Sequence, residues 1–356
     1  MFLNNNNTLF GLDIGDYALR LVKIKRHGKK NIIVSQNEIK LPAGIIVDGD
    51  IKKPEALIKY LNEIRNSVHG EKIQSGLVIV VLPETKTFIK LISVKAESEN
   101  TIEKTLEKEI VNHIPLTTAE IYFDWQVVGN FRNGQENNIL IGAAPKQVVD
   151  SYLEILNKAG LTPFVLEIEA AAIVRGLIKE DAKNKNSAKI IIDLGAARTS
   201  LAMYRNNAIL FTASLPISGQ EITSTIADKL KIDSGEAEKA KIVCGLDEKK
   251  CKGIIKKILY SNIDQLTEKI NEAISYYQEY YQKDDKVDEI ILCGGGANFS
   301  KIEQVLESRT GIRTKIGNPL TKINKVLPAA NINQRKLLSF TTAIGLALRG
   351  TKNNVI

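Results

Sequence analysis

Asp13-Ile14-Gly15 and Asp193-Leu194-Gly195 are the two stretches of sequence that decide the fold of this 356-residue chain. In each, an apolar run with strand character leads into Asp-x-Gly, and a second strand-like run follows. Aligning the two tripeptides also places Leu21 on Leu201. Because the same order stands at the head of each half of the chain, we predict an internal duplication with two related lobes.

Length and composition are those of a globular protein large enough for two lobes. A chain of 356 residues exceeds one ordinary domain, and 44% hydrophobic with 25% charged residues is a normal balance. No apolar run approaches the roughly 20 residues of a membrane-spanning helix. Residues 1–8 contain neither a basic segment nor a long apolar core, so we expect no secretory signal and a cytoplasmic location.

The charge pattern does not favour a nucleic-acid-binding protein. The 49 basic and 41 acidic residues give a net charge of +8, which would suit nucleic acid or an anionic membrane surface. However, the lysines are spread along predicted helices among glutamates, and no cluster of aromatic residues and arginines forms a base-stacking platform. We therefore expect no nucleic-acid partner.

The cysteines and histidines do not indicate a metal or disulfide scaffold. Cys244, Cys251 and Cys293 include no CxxC pair, and the three histidines are scattered along the chain. Structural zinc and disulfide bonds are therefore not part of the predicted fold.

Strands and helices are predicted to alternate along both halves, which makes the fold class α/β. The first lobe, residues 1–180, begins with a three-stranded meander. Residues 83–143 interrupt this alternation with a charged helix between strands, and we interpret them as an inserted subdomain. A polar linker at 181–187 leads to the second lobe, residues 188–350, whose helix-rich part at about 218–285 we interpret as a smaller subdomain.

The repeated Asp-x-Gly turns can carry phosphate chemistry. Such a turn places a carboxylate at a strand end and lets backbone N–H groups approach a phosphate without a side chain in the way. If the lobes face each other, a triphosphate with Mg²⁺ can lie between the turns, with Asp13 and Asp193 facing the metal through water. Arg20 would add a counter-charge. Ordinary β-turns and an exposed strand arginine remain the alternatives.

A third glycine turn follows the apolar run at residues 290–293. Gly294, Gly295 and Gly296 would let the backbone pack closely against a flat nucleoside, although a glycine-rich turn without a ligand is the alternative. The spacing matches neither a P-loop nor a dinucleotide fingerprint, so those two phosphate sites are excluded.

The order of these three turns resembles the ATPase superfamily of actin and the heat-shock chaperones. In this resemblance, residues 12–22 correspond to the first phosphate motif, 193–201 to the second and 292–299 to the adenosine motif. It implies an actin-like fold of two duplicated lobes that bind ATP and Mg²⁺ in the cleft between them.

Further positions follow from the same resemblance. The segment 166–172 resembles the superfamily's first connecting helix, so Glu167 is the candidate for orienting the attacking water; a helix N-terminal glutamate favoured by the dipole is the alternative. Residues 219–223 and 236–241 resemble FtsA and PilM proteins, in which a Glu and a Lys approach the nucleoside. Glu238 and Lys241 match them at i and i+3, where an ordinary surface ion pair is the alternative. The nucleotide-binding positions implied in this way are Gly15, Asp16, Arg20, Gly195, Thr199, Ser200, Glu238, Lys241, Gly294, Gly295 and Gly296.

The insert at 83–143 and the segment 343–350 resemble the PilM family of type IV pilus assembly in particular. The resemblance spans residues 10–350. It implies a cytoplasmic scaffold held at the inner membrane by a partner, the N-terminal cytoplasmic peptide of the membrane protein PilN, bound between the insert and the first lobe. Other pilus components and motor ATPases are further implied partners. Hydrolysis would be slow at most, and homo-oligomerisation is left open.

One departure and two other functional classes are to be weighed. Asp16 stands where the first phosphate motif usually has serine or threonine, so a carboxylate beside the phosphates should weaken binding, and Asp16→Ser should tighten it. An FtsA-like membrane-bound filament would need an amphipathic anchor, for which residues 351–356 are too short and polar. A sugar kinase on the same fold would need a base beside a hydroxyl substrate.

Overall fold

The secondary structure alternates as predicted over the part of the chain that the computed structural model describes, residues 9–94, 99–129, 137–179, 186–281 and 285–351. Most of the predicted linker at 181–187 lies outside these ranges. The strands are β1 (Phe10–Ile14), β2 (Ala18–His27), β3 (Lys30–Lys40), β4 (Ile46–Val47), β5 (Asp50–Ile51), β6 (His69–Gly70), β7 (Leu77–Leu82), β8 (Phe88–Val94), β9 (Ile121–Gly129), β10 (Asn137–Pro145), β11 (Thr162–Ile168), β12 (Lys189–Leu194), β13 (Thr199–Arg205), β14 (Ala208–Leu215), β15 (Glu289–Cys293), β16 (Thr314–Ile316) and β17 (Lys325–Val326). The α-helices are α1 (Pro54–Asn66), α2 (Glu99–His113), α3 (Lys146–Lys158), α4 (Glu169–Leu177), α5 (Gly219–Leu230), α6 (Ser234–Val243), α7 (Ile254–Tyr280), α8 (Ile302–Thr310), α9 (Gln334–Leu337) and α10 (Thr341–Arg349).

Two large sheets repeat the same arrangement. One has the order β11-β7-β1-β2-β3-β17, and the other begins β16-β15-β12-β13-β14. In each, the first strand of a meander pairs in parallel with a later strand and antiparallel with its successor, so that Asp13 lies opposite Arg20 as Asp193 lies opposite Ser200. Gly15 and Gly195 close equivalent turns, each N–H donating over 3.0 Å to a carbonyl three residues on. The predicted duplication therefore extends to the register of the strands.

Helices α4 and α10 pack against each other between the two sheets. Residues of α4 contact the second sheet, while those of α10 pack on β1 and β2 of the first. Their approach depends on glycine, because a Cβ atom at Gly345 would lie 1.9 Å from the carbonyl oxygen of Ala172. A Cβ atom at Gly11 would similarly lie 2.5 Å from the Ala343 oxygen. This contact fixes the distance between the sheets, and with it the width of the cleft between the two Asp-x-Gly turns.

The insert joins the sheet of the second lobe. Strands β8, β10 and β9 extend that sheet beyond β14, and the junction between β14 and β8 is a single residue pair, Phe211 with Lys90. Helix α2 covers one face of the three strands through a separate apolar cluster that includes Leu106 and Ile110. Strand β9 forms the outer edge of the sheet. Sequence periodicity indicates the strands of the insert, but it does not predict that β8 pairs with β14, which is distant in sequence.

The expectation of no disulfide bond is wrong. Cys244 and Cys251 form a disulfide, with their Cα atoms 5.8 Å apart. Cys244 ends helix α6 and Cys251 lies in the turn before α7, so the reversal of the chain brings together two cysteines that are seven residues apart. Within the described ranges, no helix is both long and apolar enough to span a bilayer.

Candidate functional site

Four carboxylates lie close together between the two Asp-x-Gly turns. Asp13 and Asp193 stand near the ends of β1 and β12, Glu169 is the first residue of α4, and Glu84 lies in the short turn after β7. Their charges act on one another, since Asp193 and Asp13 both repel a charge on Glu169. Two lobes that meet at their equivalent turns therefore concentrate negative charge in one place.

Burial and mutual repulsion keep these acids from ionising readily. Burial is the largest cause for each, and it raises the pKa of Glu84 to about 7 and that of Asp193 to about 6. The pKa of Glu169 lies well above its usual value, again through burial first and then repulsion by Asp193, Asp13 and Glu84. The pKa of Asp13 is also raised by burial, although Arg20 opposes the shift. Such a cluster favours the approach of a cation, which would let the carboxylates ionise.

Asp193 offers an oxygen that the protein leaves without a partner. Its Oδ1 is buried and accepts no hydrogen bond from the described part of the chain. A Cβ atom at Gly294 would lie only 2.0 Å from this oxygen, and Gly294 also has φ +77°, so glycine is required there. The described residues contain no group of three His, Cys, Asp or Glu side chains set to hold a metal. The unpartnered carboxylate oxygen of Asp193 is a ligand of the kind that Mg²⁺ takes alongside water and phosphate oxygens, so the residues present fit such an ion.

Arg20 is held by the first lobe. Its Nη1 donates to Asp13 Oδ2 at 3.3 Å and its Nε donates to Glu38 Oε1 at 3.0 Å. Glu38 is paired in turn with Lys336. The alternative of an exposed strand arginine is wrong, since the side chain is only 20% exposed. Arg20 supplies a positive charge beside the first turn, where it partly offsets the carboxylate of Asp13.

The second turn is fixed to helix α5 by backbone hydrogen bonds. The N–H of Gly219 donates to Gly195 O and that of Gln220 donates to Ala196 O, both over 3.0 Å. Thr199 is buried, and its hydroxyl donates to Ile217 O at 2.8 Å. Its hydroxyl therefore stabilises the turn, whereas Ser200, opposite Asp193 in the ladder, is partly exposed.

Glu238 and Lys241 share one helix face and form an ion pair. The ammonium of Lys241 lies 2.5 Å from Glu238 Oε2 and donates to Gly219 O at 2.8 Å. The side chain of Lys241 is 5% exposed and that of Glu238 is 46% exposed, so the pair is buried at its lysine end only, and burial lowers the pKa of Lys241. Lys241 Nζ also lies 5.5 Å from the centre of the Phe299 ring. The smaller subdomain thus reaches the segment predicted to hold the adenosine.

The three glycines after β15 have different surroundings. Gly294 and Gly296 pack against the second turn, where a Cβ atom at Gly296 would lie 2.8 Å from Leu194 Cβ. Gly295 has open space in front of it, with no atom within 4 Å of a Cβ placed there. The structure thus leaves room over Gly295 for a flat ring.

Glu167 does not lie among the cleft carboxylates. Its side chain is 3% exposed on β11, where Arg175 binds both of its oxygens and Arg349 donates to Oε1 at 2.8 Å. The sequence therefore places the candidate two residues early, and Glu169 is the carboxylate of this segment that faces the turns. Glu167 is the next-to-last residue of strand β11 whereas Glu169 begins helix α4, so their side chains contact different neighbours.

Comparison with known proteins identifies the family. The model of the family described as Type IV pilus assembly protein PilM matches residues 11–351. The chain belongs to this family. The cell division protein FtsA of Buchnera aphidicola subsp. Baizongia pistaciae is 26% identical over 193 residues, which are 47% of this chain and 45% of FtsA. The alignment thus spans less than half of the length of that relative.

Solved structures show that this PilM-family chain has the predicted actin-like ATPase fold. A PilM-PilN type IV pilus biogenesis complex matches with a TM-score of 0.82 and 24% identity, over 97% of this chain and 99% of that one. MreB 5 of Spiroplasma citri bound to AMPPNP matches with a TM-score of 0.54 and 14% identity, over 96% and 95% of the two chains. The chain therefore shares the fold of these structures over nearly its whole length.

Asp16 in this PilM-family chain binds its own lobe. Its carboxylate accepts from the N–H groups of Asp48, at 2.8 Å, and Gly49, at 3.2 Å. These residues form the tip of the β4–β5 hairpin, and Asp48 Oδ1 accepts from Arg198 Nη2 of the second turn at 2.8 Å. Asp16 thus holds a hairpin that spans the gap between the two turns, which a motif comparison alone does not reveal.

We expect Asp16→Ser to loosen the hairpin without tightening nucleotide binding. A serine hydroxyl is too short to accept from both N–H groups, so the free energy of unfolding should fall by about 1–2 kcal/mol. Urea denaturation measures this loss, and hydrogen exchange should show faster exchange at the amides of Asp48 and Gly49. Tighter ATP binding with unchanged amide protection would instead support the role predicted from sequence.

Glu84 and Glu169 are the acids that motif reading missed. Glu169 stands within the quoted segment 166–172, but its proximity to the turns requires the strand-to-helix transition to be placed correctly. Glu84 follows Pro83 at the first residues of the insert, and it is buried beside Thr212 of the second sheet. A charged residue just after an apolar parallel strand indicates a position in a cleft, since the carboxyl ends of parallel strands lie at the same edge of the sheet.

We expect Glu84→Gln to stabilise the nucleotide-free protein at high pH. The pKa of Glu84 is raised from 4.5 to about 7, so the folded state favours its protonated form. Its contribution to stability is complete below pH 4.5 and is lost as the pH rises through 7. A glutamine cannot ionise, and the variant should therefore gain up to about 3 kcal/mol at pH 8 and little at pH 4.5. Urea denaturation at both pH values is the measurement, with the exposed Glu55→Gln as control; equal effects at the two pH values would contradict it.

Proposed function

We propose that the chain is a nucleotide-binding scaffold of type IV pilus assembly that holds ATP with Mg²⁺ between its lobes and recruits an extended peptide of a membrane protein. The observation that carries the nucleotide part is the cluster of four carboxylates between two equivalent glycine turns, with one buried oxygen of Asp193 left unpartnered. Family membership supports the assignment to pilus assembly.

In this proposal, each region of the cleft has a separate task. Gly15 and Gly195 present backbone to the phosphates, and Asp13 and Asp193 face Mg²⁺ through water. The bound ion supplies positive charge that offsets both the carboxylates and the phosphates. The nucleoside packs over Gly295, and the pair of Glu238 and Lys241 closes its other side. MreB 5, which has the same fold, was solved with AMPPNP, which supports a nucleotide in this cleft.

Hydrolysis is proposed to be slow at most. Glu169 is the carboxylate that could orient a water, and burial raises its pKa well above the usual value, so it ionises less readily than an ordinary glutamate. We therefore propose that nucleotide binding, rather than turnover, sets the state of the scaffold.

The peptide is proposed to bind along strand β9 of the insert. As the edge of the second sheet, β9 pairs with β10 on one side and has no strand partner on the other among the described residues. Its side chains alternate between the two faces of the sheet, and Tyr122 on one face and Val127 on the other are 48% and 42% exposed. An extended peptide can add to such an edge through backbone hydrogen bonds while apolar side chains contact exposed ones.

The first lobe lies beside this edge, and we propose that the groove lies between them. Helix α3 contacts β9, where Tyr122 Oη donates to Asp150 Oδ1 at 3.3 Å and Lys146 Nζ lies 5.4 Å from the Tyr122 ring centre. Because the PilM relative with 24% identity was solved with PilN, we propose the PilN N-terminal peptide as the occupant. The partner would hold the scaffold at the inner membrane.

We expect Val127→Asp to weaken binding of that peptide at least tenfold. An apolar peptide side chain would remove water from a carboxylate at this edge, which costs free energy. Removing water from the wild-type valine is favourable instead. Fluorescence anisotropy of a labelled peptide copying the first residues of the PilN partner measures the affinity. Val111→Asp on helix α2 is the matched control, since that valine is 52% exposed. Equal weakening by both variants, or by neither, would remove β9 from the proposal.

An FtsA-like filament is the second candidate, favoured by the sequence similarity to FtsA. Sedimentation of the chain with ATP and Mg²⁺ distinguishes the two: a scaffold stays as small species, whereas a filament pellets and is visible by negative-stain microscopy.

A further inference from the structure

We propose that Cys244 and Cys251 form a reversible thiol–disulfide modification site, which takes small disulfides such as glutathione disulfide and braces the segment that follows the three glycines. The brace itself is independent of any ligand. Its consequence for nucleotide affinity rests on the proposed function.

The geometry allows the bond to form and to break. The Cα separation of 5.8 Å is in the usual range for a disulfide. Cys244 is buried at the end of α6, whereas Cys251 is exposed and open to attack. Lys249, Lys250 and Lys252 flank it in sequence, and such positive charge favours the reactive thiolate. Cys293, by contrast, is buried.

Backbone conformation at the bond also favours reversibility. Cys251, Lys252 and Gly253 are consecutive residues with φ of 47°, 51° and 70°. Two of them carry side chains that disfavour this left-handed region. The closed loop holds them there, so opening the disulfide can relieve the strain, and exposed bonds of this kind are the more easily reduced ones.

The loop closed by the disulfide is packed on Ser300. The N–H of Leu246 donates to Ser300 O at 2.8 Å, and a Cβ atom at Gly245 would lie 2.5 Å from Ser300 N. Ser300 directly follows Phe299, over whose ring Lys241 of helix α6 is placed. Cys244 ends that same helix. Tethering Cys244 to Cys251 therefore restrains the loop after α6 that packs on Ser300, next to the glycine-rich segment.

The exchange is balanced with glutathione disulfide as the oxidant. The Cys251 thiolate attacks one sulfur of glutathione disulfide, forming a mixed disulfide and releasing one glutathione thiolate. Cys244, as its thiolate, then attacks the Cys251 sulfur, which forms the protein disulfide and releases the second glutathione. Two protein thiols are oxidised, one glutathione disulfide is reduced, and the two thiol protons end on the two glutathione molecules.

The test compares the full chain equilibrated with glutathione disulfide and with reduced glutathione. Alkylation and mass spectrometry should find two fewer reactive thiols after oxidation in the wild type and no internal disulfide in Cys251→Ser. Hydrogen exchange at the Leu246 amide and in the segment 294–300 should be at least fivefold slower in the oxidised wild type, and independent of redox state in Cys251→Ser. Circular dichroism confirms that each sample is folded.

Each outcome has a defined meaning. Absence of the disulfide after oxidation, or equal exchange in the two redox states, overturns this inference even if ATP binds. A redox-dependent exchange rate sustains it even if ATP fails to bind, a result that would instead count against the proposed function. Where ATP binds, reduction should weaken its affinity severalfold in the wild type and not in Cys251→Ser.

Discussion

Asp193→Asn is expected to weaken binding of ATP with Mg²⁺ at least a hundredfold. The substitution keeps the size of the side chain but removes the charge at the buried Oδ1 that the described protein leaves unpartnered. A hundredfold loss corresponds to about 2.7 kcal/mol, a magnitude typical of losing one charged group from a metal-phosphate site. Isothermal titration calorimetry measures the affinity, and Asp13→Asn, in the equivalent turn, should behave similarly.

The dependence on Mg²⁺ tells a metal contact from a structural defect. Without Mg²⁺, Asp193 only repels the phosphates, so Asp193→Asn should bind metal-free ATP at least as well as the wild type. Asp228→Ala, which removes an exposed carboxylate on α5, is the control for net charge and should bind as the wild type does. If Asp193→Asn loses affinity equally with and without Mg²⁺, the aspartate supports the turn and does not face a metal.

The duplication and its three glycine turns could be predicted because they are local patterns repeated along the chain. Asp13 and Asp193 keep the same sequence spacing to their paired strands, so aligning the sequences also aligns the ladders. The pairing of Glu238 with Lys241 follows equally from helical spacing. A repeated or periodic sequence pattern repeats the same local backbone geometry. The duplicated fold and the shared helix face could therefore be predicted from sequence.

The remaining features depend on contacts that sequence spacing does not encode. Asp16 differs from a phosphate ligand because a hairpin more than thirty residues later supplies N–H groups to its carboxylate. The insert joins the second sheet through one pair, Phe211 with Lys90, which no periodicity reveals. Cys244 and Cys251 meet because the chain turns back on itself between helices α6 and α7. In each case the contact partner is set by the tertiary fold, and the local sequence is compatible with several partners.

Glu167→Ala is expected to lower the free energy of unfolding by about 3–5 kcal/mol, the usual cost of removing one partner of a buried ion pair. Glu167 is 3% exposed and is shared by Arg175 of α4 and Arg349 of α10. Arg175 Nη1 also donates to Gly345 O at 3.1 Å, so the carboxylate helps fix the α4–α10 contact between the sheets. Without the Glu167 carboxylate, the guanidinium groups of Arg175 and Arg349 lose the counter-charge that they share in the partly buried region between the sheets.

Two further variants decide whether Glu167 is structural and Glu169 chemical. Glu154→Ala breaks an exposed ion pair with Lys158 on α3 and should leave the free energy of unfolding almost unchanged. Glu169→Gln removes a carboxylate that Asp13 and Asp193 repel, so at pH 8 it should unfold at higher urea than the wild type while any ATP hydrolysis falls. Urea denaturation and phosphate release, measured on all three variants, separate the roles. A Glu167→Ala protein with wild-type stability but no hydrolysis would return the water-orienting role to Glu167, because a residue needed only for packing cannot abolish chemistry and leave the fold intact.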